Sequence, residues 1–100
     1  MDTLELGGNI QLTGFSAMDS AKMIVLKKMI GNYARKFSDR AGFEQLSLTM
    51  KTIHETESGR IYELHGKLMD KGKPTAREAP DRNIFVAVDS VLKKIEESIS

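Results

Sequence analysis

Apolar and polar residues recur with a readable period over most of the chain. Asn9-Ile10-Gln11-Leu12-Thr13 alternates polar and apolar, which predicts a half-buried strand ended by Gly14. A helix follows, because Met23, Leu26, Ile30, Tyr33 and Phe37 fall within about 80° of one another at ~100° per residue. Ser16 with Asp19 three residues on resembles a capping box, with Asp19 and Ser20 as alternative caps. Ser38-Asp39-Arg40-Ala41-Gly42 supplies a polar stop and a glycine suited to a left-handed turn. Gly31 sits inside the helix, at a cost of about 1 kcal/mol against alanine.

Leu46, Leu48 and Met50 then alternate with Gln45, Ser47, Thr49 and Lys51, which predicts a second strand. Beyond Glu55-Thr56-Glu57-Ser58-Gly59, Ile61 to Met69 alternates again, with Tyr62, Leu64 and Leu68 as the inward set. A five-residue loop between these strands pairs Thr52 with Tyr62, Met50 with Leu64 and Leu46 with Leu68. That register keeps the core residues on one face and sets Lys51 opposite Glu63, a favourable cross-strand pair. Asp70-Lys71-Gly72-Lys73 is expected to form a tight hairpin turn. The stretch Pro74 to Ala79 is a weak strand, confined by Pro74 to a sheet edge. Asp81 is expected to cap a last helix whose apolar stripe is Ile84, Val88, Val91, Leu92, Ile95 and Ile99.

The order is thus strand, helix, three strands, helix (β-α-β-β-β-α), with no repeat or linker. Residues 1–100 form one domain with its core over about 9–99. Each strand has one polar face and each helix one apolar stripe, so both helices are expected on one face of a four-stranded sheet. The fold class is α+β, a two-layer sandwich whose other sheet face stays open.

Composition removes much chemistry. Hydrophobic residues at 40% and charged residues at 29% are those of an ordinary globular domain. With no cysteine there is neither a disulfide nor a thiolate metal site. Two histidines remain: His65 on the polar face opposite Thr49, and His54 on the other parity near a turn. No third ligand stands beside them in sequence, so no metal or cofactor is expected. Glu55, Glu57 and Asp70 lie in turns with nothing to gather them into a cleft, and Gly7-Gly8 precedes a strand rather than following one. No catalytic residue, small-molecule substrate or enzyme activity is therefore expected. No apolar run approaches the ~20 residues of a membrane span, and the acidic start is unlike a signal peptide. The expected setting is cytoplasmic, without a membrane partner.

Charge is unevenly spread. Within a chain of net charge +1, residues 21–40 hold Lys22, Lys27, Lys28, Arg35, Lys36 and Arg40 against Asp39 alone. With Ile30 at the centre of the buried stripe, Lys28 and Arg35 project about 140–160° away and Lys36 about 120° to the other side. Asn32 lies between them, and Lys93 and Lys94 stand with Glu97 on the outer side of the last helix. Tyr33 and Phe37 face inward, so this cationic strip suits phosphate and shape contacts rather than base stacking.

The stretch Thr75-Ala76-Arg77-Glu78-Ala79-Pro80-Asp81-Arg82-Asn83-Ile84-Phe85-Val86-Ala87-Val88-Asp89, continuing into Leu92-Lys93-Lys94-Ile95-Glu96, resembles the last strand and helix of the ribosome hibernation-promoting factors, which include protein Y. Ile84-Phe85, Ala87-Val88-Asp89 and Lys94-Ile95-Glu96 occupy the places of that family's Met/Ile–aromatic pair, Ala-Ile-Asp and Lys-Leu-Glu. The resemblance implies the same element order over about residues 9–99 and binding to the small ribosomal subunit through basic residues of both helices. Lys94 matches the family's lysine in the last helix; Lys28, Arg35 and Lys36 match only as a basic first helix; Glu97 departs from a usually basic position. The expected function is non-catalytic binding of ribosomal or other structured RNA by Lys28, Arg35, Lys36, Lys93 and Lys94. The alternative is a protein-interaction or self-associating domain of the same fold, a homo-oligomer included. It would use an edge strand or the open face around Gln45, Ser47, Thr49, His65 and Lys67.

Overall fold

The computed structural model describes residues 2–40, 42–57 and 59–99, excluding the side chains of 52–54. Seven elements follow in order: β1 (Thr3–Leu6), β2 (Ile10–Thr13), α1 (Ser20–Arg40), β3 (Gln45–Thr56), β4 (Gly59–Asp70), β5 (Lys73–Asp81) and α2 (Ile84–Ile99). The strands lie side by side in sequence order. β2 and β3 are parallel, joined by the α1 crossover, and every other pair is antiparallel.

The sheet therefore has five strands rather than four. The added strand, β1, pairs Leu6 with Ile10 and Leu4 with Leu12, and Gly7-Gly8-Asn9 forms its turn. Both glycines have positive φ, +68° and +81°, a region L side chains rarely adopt. Gly7-Gly8 is thus a hairpin connection, not simply a prelude to a strand.

β3 and β4 pair in the expected register from Leu46↔Leu68 through Met50↔Leu64 and Lys51↔Glu63 to Thr52↔Tyr62. The connection differs. After Thr52 the next pair is His54↔Ile61, so Ile53 is the extra residue of a bulge, and the strands run on to Thr56↔Gly59. Pairing that reaches Thr56↔Gly59 leaves no room for the expected five-residue loop. The bulged residue absorbs the one-residue shift, so the strands pair further toward their ends while the core residues keep their face. The β4–β5 turn carries positive φ at both Lys71 and Gly72, the geometry that matches hairpin twist.

The helix starts follow local hydrogen bonding. Asp19 Oδ1 accepts the Ala21 N–H at 2.8 Å, so Asp19 caps α1. At α2 the cap is Asn83 rather than Asp81: Asn83 Oδ1 accepts from the Phe85 N–H at 2.9 Å and the Val86 N–H at 3.4 Å. Asp81 ends β5 and instead accepts the Asn83 N–H, turning the chain into the cap.

Both helices cover one face of the sheet. Leu26, Ile30 and Phe37 of α1 and Val88, Val91, Leu92 and Ile95 of α2 are fully buried, as are Leu12, Leu46, Leu48, Leu64 and Leu68 beneath them. Phe15 and Phe43, which lie outside the regular elements, complete the core; Phe43 meets Phe37 edge-on with centroids 6.2 Å apart.

Candidate nucleic-acid interface

The cations singled out in the sequence do not form one strip on the outer surface of the helical layer. Lys28, Arg35, Lys36, Lys93 and Lys94 are all exposed. Lys28 and Arg35 stand on the side of α1 opposite its buried stripe, and Lys93 holds the corresponding place on α2. None of these three is engaged in an ion pair or side-chain hydrogen bond among the described residues.

Lys36 turns toward the seam between the helices. Its Nζ is 3.9 Å from Glu96 Oε2 and lies 5.1 Å from the centroid of the Tyr33 ring. Arg40 meets the same Glu96 oxygen at 3.8 Å. One turn further along the seam, the Tyr33 hydroxyl donates to Asp89 Oδ1 at 2.7 Å. Burial, then the Asp89 hydrogen bond and charge, push the Tyr33 hydroxyl well above the usual phenol range. Three residues of α1 are thus held by two acids of α2.

Lys94 leaves the helical surface. It arches over the β5 edge, and its Nζ donates to the Glu78 carbonyl at 3.0 Å. There it lines a hollow of about 650 Å³ with Ser47, Thr49, His65, Lys67 and Glu78 on the open sheet face. Periodicity places Lys94 on an outer helix face; only the chain's return over β5 shows which neighbour it meets.

The same region brings together residues that the sequence keeps apart. His65 pairs with Glu78 across β4 and β5. His65 Nδ1 is 3.3 Å from Glu78 Oε2, and its Nε2 is 3.1 Å from Glu63 Oε1, close but not aligned as a hydrogen bond. These three side chains have the composition of a metal-ligand set, which corrects the expectation that no further ligand stands near His65. His65 and Glu63 are about one-third exposed and Glu78 two-thirds, and each carboxylate meets the imidazole. Glu63 and His65 are thus neighbours on one face of β4, with Glu78 facing the imidazole from β5. The His54 side chain lies outside the described residues.

Fold and surface together define an α+β domain with a mixed five-stranded sheet, two helices on one face and cations on the outer helical surface. Two solved structures share that fold. One is a ribosomal subunit interface protein from Coxiella burnetii, with a TM-score of 0.64 and 14% identity over 91% of this chain and 92% of that one. The other is the N-terminal domain of protein Y from Thermus thermophilus, with a TM-score of 0.65 and 10% identity over 91% of each chain. The structural likeness shows the fold that the sequence resemblance implied. No protein-family model matches the sequence, and no curated protein matches it either. Among the described residues no helix is long and apolar enough to cross a membrane.

Proposed function

We propose that this domain associates with the ribosome by non-catalytic contact with rRNA phosphates, made by the outer surface of its two helices. The observation that carries this reading is the exposure of Lys28, Arg35 and Lys93 without an internal partner among the described residues, on a fold shared with a ribosomal subunit interface protein and with the N-terminal domain of protein Y. Lys36 contributes only as far as phosphate competes with Glu96 for it. Lys94, bonded to the Glu78 carbonyl, belongs to a different flank and is the weaker candidate. The domain acts in the cytoplasm as a binding module, and the acids at the helix seam keep its attraction to RNA modest.

Counterion release gives the test. Three to four phosphate contacts produce a log–log salt slope of roughly −2 to −3. Co-sedimentation with purified small subunits at rising salt measures that slope. Replacing Lys28 and Arg35 together with alanine flattens it by close to two units. Binding that ignores both salt and these substitutions places the contact elsewhere. No binding even at ~50 mM salt, where charge contacts are strongest, removes the ribosomal reading.

A further inference from the structure

The two edges of the sheet are treated differently by the sequence. On β5, the Ala76 carbonyl accepts from Arg77 Nη1 at 2.6 Å and the Glu78 carbonyl from Lys94 Nζ at 3.0 Å. Both carbonyls therefore point away from β4. Main-chain direction alternates along an antiparallel pair, so positions 74 and 80 also face outward, and both are prolines with no N–H to offer. Two prolines and two cations close this edge to a further strand.

β1, four residues long, carries neither a proline nor a cation over its outward main-chain groups. Asp2 accepts the Gly14 N–H through its carbonyl at 3.2 Å, which makes Asp2↔Gly14 and, two residues on, Leu4↔Leu12 the hydrogen-bonded pairs. The N–H and C=O groups of Thr3 and Glu5 consequently point outward, with no main-chain partner among the described residues. Leu4 shares the face of the buried Leu12, yet is 42% exposed; Ile24 on α1, 60% exposed, lines the same groove with Phe15, Met18 and Met23. An unpaired edge beside an apolar groove calls for a strand that carries its own apolar residue at the matching position.

We infer that the occupant is β1 of a second copy of this chain, in a two-fold antiparallel dimer centred on Leu4. The outward groups dictate the register. Thr3 of one copy bonds with Glu5 of the other and the reverse, giving four main-chain hydrogen bonds, and the two Leu4 residues meet as the central non-hydrogen-bonded pair. Each Glu5 then faces a threonine, whereas a slip that sets Glu5 against Glu5 brings like charges together. The two-fold axis leaves both Leu4 side chains on the helical face, so Leu4 and Ile24 of both copies share one apolar cluster. The product is a continuous ten-stranded sheet with four helices on one face. A four-residue strand and a small groove bury less than the ~1,200–2,000 Å² of a stable interface, so dissociation falls in the micromolar range or weaker. This inference is independent of the ribosomal reading.

Sedimentation velocity on the intact chain tests it. The mass-average coefficient is expected to rise from monomer toward dimer between about 5 and 500 µM, the range that suits a weak interface. Thr3→Pro removes an outward N–H and leaves the β1–β2 ladder intact, so it should abolish that rise. Because the chain has no cysteine, Leu4→Cys introduces a single thiol whose counterpart lies about 4.5 Å away between Cα atoms, within disulfide reach. The counterpart of Glu5→Cys is beyond the ~7 Å limit. Air oxidation should therefore cross-link Leu4→Cys at least tenfold faster than Glu5→Cys. A monomer across the whole range, a dimer indifferent to Thr3→Pro in a folded variant, or equal cross-linking at the two positions would each overturn the proposal.

Discussion

Val91 of α2 stands so close over Gly66 of β4 that a methyl group on the glycine would collide with its Cγ1. The same methyl would lie 3.1 Å from both Ile95 Cδ1 and Leu48 Cδ2. Gly66 occupies an inward position between Leu64 and Leu68, where every neighbour in phase is a large apolar residue. Its missing side chain is the space into which α2 descends.

Gly66→Ala is therefore expected to destabilise the fold by about 1–3 kcal/mol through overpacking. Gly31→Ala is the matched control. Nothing lies within 4 Å of a Cβ there and its backbone is helical, so the substitution should stabilise by about 0.4–1 kcal/mol. Urea denaturation of the two variants is expected to give opposite signs; a Gly66→Ala variant no less stable than the parent would mean that α2 does not sit against Gly66.

Tyr33→Phe tests the helix seam. The hydroxyl bonded to Asp89 contributes about 0.5–1.5 kcal/mol, and Asp89 is exposed and can rehydrate. Since folding raises the Tyr33 pKa, the folded state holds its proton more tightly. This contribution is complete below the unfolded value of about 10 and declines as the pH rises above it. Tyr33→Phe should accordingly unfold with less alkaline sensitivity than the parent, measured as midpoint shift between neutral and alkaline pH.

At the other pH extreme the sensitive contact is Asp2. Hydrogen bonds from the Ser16 side chain, then from its main-chain N–H, hold the carboxyl below its ordinary value. A lowered carboxyl stabilises the fold above that ordinary value, and the contribution fades as pH falls through the folded pKa. Acid should loosen the anchored start of β1 before the rest of the sheet. Protection factors of the Leu4 and Leu6 amides, taken against the intrinsic exchange rate at each pH, report it, and Asp2→Asn should remove the acid-induced loss of protection at those two positions.

Glu96→Gln bears on RNA association. Glu96 meets Lys36 and Arg40 at 3.8–3.9 Å in partly exposed pairs, worth at most about 1 kcal/mol to stability. Freed of that acid, both cations become available to phosphate, and the salt slope of ribosome binding should steepen by about one unit or more. An unchanged slope would remove the helix seam from the contact surface.

Side-chain parity and helical period by themselves determined a large part of this protein. Long alternating runs admit one register, because a one-residue slip would turn Leu46, Leu48 and Leu64 out of the core, and α1 and α2 bury the stripes their spacing marks. The four-residue β1 was not legible in the same way, since two alternating leucines carry no distinctive period. Its stability comes from pairing with β2 and from the Asp2–Ser16 contact. A bulge at Ile53 with a short connection and a regular ladder with a longer one leave the same parity upstream, so spacing could not separate them. The cap at Asn83 rather than Asp81 depended on where β5 releases the chain. The surface was least legible. Spacing placed Lys28, Arg35, Lys36, Lys93 and Lys94 on outer faces, but Glu96 reached Lys36 and Glu78 received Lys94 only once two helices and an edge strand were packed side by side. Contacts between elements distant in sequence leave no periodic trace, because they are fixed by how the layers dock rather than by the repeat within any one of them.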